Sequence, residues 1–100
     1  MKRIMVRYKL KAGRSEENEA LVRAVFAELA ERSPAGLRYA TFRLPDGLTF
    51  VHIASLEGPE NPLGGIAAFD EFQRGIRDRC EEPPVAVELE DMGSYAFWPE

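Results

Sequence analysis

Few of the side chains from which small catalytic sites are usually built occur in this sequence. One cysteine, Cys80, and one histidine, His52, serve 100 residues. No intrachain disulfide is possible, and no Cys-rich metal site can be assembled. A zinc or haem-iron site held only by His and Cys has too few ligands, so neither metal nor cofactor is expected. Lysine stands only at positions 2, 9 and 11, which leaves little for Schiff-base chemistry in a buried pocket. No glycine loop precedes a helix in the context that cradles phosphate. The formal charge is −4, with both signs mixed along the chain, the opposite of the concentrated basic surface that binds nucleic acid. Long apolar runs are also missing, so a membrane span is not expected. The start, "MKRIMVRYKL", alternates charged and apolar residues unlike a secretory signal. A cytoplasmic, soluble, single domain over 1–100 is the expectation.

What is present is periodicity. Ile4, Val6, Tyr8 and Leu10 alternate with Arg3, Met5, Arg7 and Lys9, which predicts a strand. "SEENEALVRAVFAELAERSPAG" predicts a helix. Ser15 is a cap, Glu16 and Glu17 sit at the positive end of the dipole, and Leu21, Val22, Val25, Phe26 and Leu29 form the apolar stripe. Pro34 and Gly36 stop it. "LRYATFRLPDGLTFVHIASL" predicts a hairpin, with Pro45-Asp46 in a type I turn and Gly47 in the left-handed position. In that register Leu44 faces Leu48, Phe42 faces Phe50 and Ala40 faces His52. Tyr39, Thr41, Val51 and Ile53 take the other face. "EGPENPLGG" reads as a flexible connection. "IAAFDEFQRGIRDRC" reads as a second helix with Ile66, Phe69, Phe72, Ile76 and Cys80 on one side. Gly75, with Ala68, leaves a small-residue groove that suits close helix packing or a flat ligand. "VAVELEDMGSYAFW" supplies the last strand.

The order β-α-β-β-α-β is the ferredoxin-like arrangement, an α+β fold with a four-stranded antiparallel sheet and two helices on one face. The first strand is expected between the third and the fourth. Ile4, Val6 and Tyr8 with Val85, Val87 and Leu89 are expected under the helices. The opposite face then carries Met5, Phe42, Phe50, Ala54 and Ala86, too apolar for water, with Arg7, His52 and Glu88 among them. A second copy is the simplest cover, so a homodimer formed sheet to sheet is expected. Tyr95, Phe97 and Trp98 near the end suit an interface better than a free tail. RNA-binding modules share this topology, but "LTFVHIAS" lacks their basic-aromatic signature.

The stretches "IMVRYKLKAG", "FVHIASLEG", "AFDEFQRGIRDR" and the terminal "SYAF" resemble, in their order, the antibiotic biosynthesis monooxygenase-like group of dimeric α+β barrel proteins. The resemblance spans essentially the full length and rests on pattern. It implies a dimer and, as in some members, cofactor-independent oxygenation of an electron-rich quinol or polyketide-like aromatic. A haem-degrading branch uses an Asn on the first strand, a Trp on the third and a His on the second helix. This sequence departs at all three.

His52 is the candidate general base, because imidazole alone among side chains titrates ordinarily near neutrality. With Arg7 and Glu88 it would form a proton-handling set, or equally a structural network fixing register or dimer pairing. Tyr8, Tyr39, Phe72 and Trp98 are the candidate substrate-binding side chains, the two phenols orienting an aromatic substrate. Cys80 reads as a small core residue. Three functions stay open: a small oxygenase, a non-catalytic module binding a hydrophobic small molecule, and a purely structural dimer.

Overall fold

A computed structural model describes residues 1–97. The elements are β1 (Lys2–Leu10), α1 (Ser15–Arg32), β2 (Leu37–Arg43), β3 (Thr49–Leu56), a 3₁₀ turn (Pro62–Gly65), α2 (Ala67–Gln73), α3 (Ile76–Arg79) and β4 (Cys80–Leu89). The sheet is antiparallel in the order β2-β3-β1-β4, so β1 lies between β3 and β4 as the ferredoxin-like reading requires. Among the described residues no helix is long and apolar enough to cross a membrane.

The helices cover one face. Tyr8 and Leu10 from β1, Val25 from α1, Phe50 from β3, Phe72 from α2 and Cys80 form the buried core, with Leu21, Val22, Leu29 and Ile76 packed around it. Burying a side chain of this size contributes about 1.5–3 kcal/mol. α1 ends where Ser33 turns left-handed (φ 45°) and its N–H bonds Leu29 O, immediately before Pro34. Its start differs from expectation. Ser15 does not cap the helix; its hydroxyl donates to Gly47 O at 2.8 Å and ties α1 to the hairpin turn. Glu28, which pairs with Arg32 one turn on, also accepts from the N–H groups of Ala67 and Ala68 and so holds the start of α2.

Three further sequence expectations are corrected, each by a local cause. The β2–β3 register is shifted by one: Thr41, not Ala40, faces His52, and Arg43, not Phe42, faces Phe50. Gly47 is left-handed as predicted (φ 74°), but Asp46 decides the pairing. Its carboxylate accepts from the N–H groups of Leu48 and Thr49 and from the Thr49 hydroxyl, which draws Leu48 into the turn. Those bonds hold the Asp46 carboxyl down at about 2. The strand therefore resumes at Thr49, whose C=O accepts from Leu44 N–H.

β4 begins earlier, at Cys80, and runs through Pro83-Pro84. It is an edge strand, so two missing N–H donors are tolerated, and its pairing with β1 shifts between Arg7 and Lys9. Ala86 therefore pairs with Val6 under the helices, while Val85, Val87 and Leu89 turn outward with Met5. The last correction concerns the second helix, which is broken. Gly75 is left-handed (φ 78°), ends α2 and starts α3, so it is a hinge and not a helical groove. The expected loose connection before it is partly ordered by Asn61, whose side chain caps the 3₁₀ turn.

Candidate functional site

The one-residue shift sends His52 inward. It pairs with Val6 on one side and Thr41 on the other, and all three point toward the helices. His52 is 5 % exposed and both ring nitrogens are engaged. Tyr8 Oη lies 2.7 Å from Nε2. Tyr39 Oη lies 2.5 Å and Thr41 Oγ1 3.1 Å from Nδ1. Behind Tyr8, Asn18 of α1 donates its Nδ2–H to Tyr8 Oη at 2.9 Å. Asn18 Oδ1 in turn accepts from Arg79 Nε and Nη2 at 3.3 and 3.2 Å. Arg79 also donates to Phe72 O and Arg74 O at the end of α2, and its guanidinium lies 5.5 Å from the Phe72 ring centre. A buried polar line thus runs from Arg79 through Asn18 and Tyr8 to His52, Tyr39 and Thr41.

Burial sets the protonation states. It pushes the His52 imidazole from its ordinary 6.5 down to about 4, so the ring is neutral at physiological pH. It pushes the Tyr39 phenol up to about 12 and Tyr8 higher still, the latter partly offset by the Asn18 hydrogen bond. Both phenols are neutral.

This line borders a cavity of about 280 Å³ between the sheet and the helices. Ile4, Val6, Ala54 and Ala86 form its floor; Leu63, Phe69, Phe72 and Ile76 cover it. Tyr8, Tyr39 and His52 bring the polar atoms, and Asn61 and Gln73 add two amides. A mostly apolar concavity with a few convergent polar groups is the usual form of a small-molecule site. Aromatic rings line one side of it, with Phe69 and Phe72 stacked at 6.0 Å and Tyr39 edge-on to Phe69 at 6.5 Å.

Of the residues singled out from sequence, His52, Tyr8, Tyr39 and Phe72 come together here. Arg7 and Glu88 do not join them. Arg7 points away from the helices, between Val51 and Val85. Glu88 is exposed, 3.9 Å from Lys2 Nζ. The proton-handling set expected of His52, Arg7 and Glu88 is therefore not assembled, because β3 and β4 each present the opposite face from the one expected. Trp98 lies outside the described residues; Tyr95 and Phe97, which precede it, are exposed. Cys80 is a buried core residue whose thiol is pushed up by burial. Among the described residues no group of three or more His, Cys, Asp or Glu is placed to hold a metal ion.

Asn18, Thr41 and Arg79 were missed. Two of them carried a sequence signal. Asn18 falls three and seven residues before Leu21 and Val25, in line with the apolar stripe of α1. Arg79 falls three residues after Ile76 and seven after Phe72. A polar residue on an apolar stripe marks a buried partner.

The fold and site together define a ferredoxin-like α+β protein with a mostly apolar cavity between sheet and helices, and solved structures named as antibiotic biosynthesis monooxygenases share its fold. A Nitrosomonas europaea protein provisionally named an antibiotic biosynthesis monooxygenase superposes with a TM-score of 0.74 at 16% identity, covering 93% of this chain and 100% of its own. SnoaB, a cofactor-independent oxygenase from Streptomyces nogalater, gives 0.70 at 14% identity, with 95% and 96% covered. A protein of unknown function from Nitrosomonas europaea gives 0.74 at 11% identity, with 99% and 94% covered. No family model matches the sequence, and no curated protein matches it. At these identities the likeness shows the fold.

Proposed function

We propose that the cavity binds a small planar aromatic bearing an acidic hydroxyl or activated CH₂, of hydroquinone or anthrone type, and that the protein oxygenates it without a cofactor. The observation that carries this reading is a neutral imidazole reached from the cavity through one phenol. An apolar cavity of roughly 150 Å³ accepts benzene, so about 280 Å³ suits a fused ring system lying against Phe69 and Phe72. The substrate proton passes to Tyr8 Oη while the Tyr8 proton passes to His52 Nε2. The substrate anion left beside the new imidazolium favours the charged ring that burial disfavours. That anion supplies the electrons that reduce O₂. At an activated CH₂, one oxygen atom ends in the new carbonyl and the other leaves with both hydrogens as water. The fold's likeness to SnoaB supports this choice of chemistry.

Oxygen uptake measured with a quinol and anthrone panel, without added flavin or metal, tests it. Wild type is expected to consume O₂ with one of these substrates, and His52→Ala and Tyr8→Phe to lose about 10²-fold or more in kcat. Turnover unchanged in both variants sinks the assigned base and its relay. A second reading, a binding module without catalysis, is favoured by one feature: both His52 nitrogens already have hydroxyl partners within the protein. Saturable ligand binding with no O₂ uptake across the panel selects that reading.

We also propose that a second copy covers the outward sheet face, where Met5, Phe42, Val51, Ile53, Val85 and Val87 lie together on adjacent strands. Apolar faces of this extent mark contact surfaces.

A further inference from the structure

We infer that Arg79 and Asn18 are positioning residues that set the direction of the Tyr8–His52 hydrogen bond: Tyr8 donates to Nε2, and His52 is held as the Nδ1–H tautomer. The inference deepens the proposed function and rests on it only for its catalytic consequence.

The argument begins at the charged end. Arg79 is 2 % exposed, and it donates to the neutral carbonyl oxygens of Asn18, Phe72 and Arg74. A guanidinium offers only donors. The Asn18 amide must therefore turn its oxygen to Arg79 and its NH₂ to Tyr8, since the flipped amide would set donor against donor. Asn18 is fully buried and cannot relax toward water. Tyr8 Oη then accepts from Asn18, and its single hydrogen needs an acceptor. Tyr8 Oη has two partners within hydrogen-bond distance, Asn18 Nδ2 and His52 Nε2, and the first can only donate. His52 Nε2, at 2.7 Å, is the remaining acceptor. A neutral imidazole that accepts at Nε2 carries its proton on Nδ1. That proton meets the Tyr39 and Thr41 oxygens.

The order of donors has a consequence for a bound ligand. Tyr8 Oη retains acceptor capacity toward the cavity and already has an outlet for its own hydrogen, so a ligand O–H can donate to it. The Tyr39 oxygen accepts from Nδ1, which frees the Tyr39 hydrogen to donate. The cavity thus presents an acceptor at Tyr8 and a donor at Tyr39. Arg79 and Asn18 impose this pattern without touching a ligand. A role for Arg79 limited to capping the end of α2, through Phe72 O and Arg74 O, imposes no such direction.

With one histidine in the chain, selective ¹⁵N-histidine labelling yields a single pair of ring signals and makes the test direct. Wild type is expected to show a pyrrole-type Nδ1 and a pyridine-type Nε2. Asn18→Asp is nearly isosteric and pairs with Arg79, but it accepts from Tyr8 where Asn18 donates. It is expected to invert the signals to the Nε2–H tautomer. Arg79→Lys keeps a donor on Asn18 Oδ1 and is expected to keep the wild-type pattern. A wild-type Nε2–H tautomer overturns the inference, and this measurement stands even if the variant does not fold. So does a folded Asn18→Asp protein, checked by near-UV circular dichroism, whose tautomer is unchanged. If the wild type turns over a quinol, Asn18→Asp is expected to lose about 10²-fold in kcat with KM within a few fold. Absence of O₂ uptake by wild type removes the oxygenase reading alone, because the tautomer is read without substrate.

Discussion

His52 carries a stability cost that depends on pH, and its sign follows from its burial. The folded ring titrates at about 4, while an unfolded histidine titrates near 6.5. Between those values the unfolded chain binds a proton that the folded chain refuses. Stability is therefore fully present above about pH 6.5 and falls as pH drops toward 4, where the loss levels off. The whole loss is about 3 kcal/mol by linkage. The lowered carboxylates Glu17, Glu28 and Asp46 lose their contributions only below their ordinary values, so the two windows are largely separate. Urea unfolding between pH 7.5 and 4.5 should show a falling midpoint for wild type and a flatter one for His52→Gln. Equal slopes for the two proteins would mean that the ring is not buried neutral. The same burial explains why the sequence misleads at this residue. Hydropathy ranks imidazole with the polar side chains, so Val51 and Ile53 looked like the core. Three hydroxyls converge on His52 from two strands, and no alternation of residues announces them. Asn18 and Arg79 were legible in principle, because each breaks an apolar stripe.

At the scale of elements, strand and helix existence followed from periodicity, and the errors that move the site are matters of parity. A side chain in a strand has two faces, so one displaced residue inverts a whole strand. Asp46 supplies that displacement in the β2–β3 hairpin by capturing two amides, and the irregular pairing near Pro83-Pro84 supplies it in β4. Both are side-chain or edge effects that alternation does not encode. Gly75 is a third such point. Its φ of 78° lets the chain leave α2 and begin α3, which returns Arg79 beneath Phe72. A Cβ there would meet only Arg79 Nη1, at 3.9 Å, so space is not the obstacle. The backbone conformation is. Gly75→Ala should cost about 1–2 kcal/mol, the left-handed penalty for a side chain, and Gly75→Asn less. Thermal unfolding of the two variants checks the order; an alanine variant as stable as wild type would show that the break moves without strain.

At the scale of the whole molecule, the outward sheet face leaves several large apolar side chains in water. With the parities corrected, the outward sheet face is more apolar than the sequence suggested. Val85 and Val87 are 61 % and 42 % exposed, and Phe42 is 51 % exposed. Met5 and Ile53 pair at the centre of the same face. The helices are committed to the other side of the sheet, and Asp91 pairs with Arg3 at the Leu89 end of this face. A second copy meeting it sheet to sheet would bury like against like, and it would place Arg7, exposed between Val51 and Val85, within that contact. Val87→Lys separates protomer from dimer, because Val87 is exposed in the single chain and stands on the outward face beside Met5. A charge placed there costs the protomer little, but in a dry interface it is expensive unless paired. Sedimentation velocity at micromolar concentration should therefore give a dimer for wild type and a monomer for Val87→Lys, with the far-UV spectrum unchanged. A wild-type monomer would refute sheet-to-sheet burial. A dimeric Val87→Lys protein would move the interface to another surface.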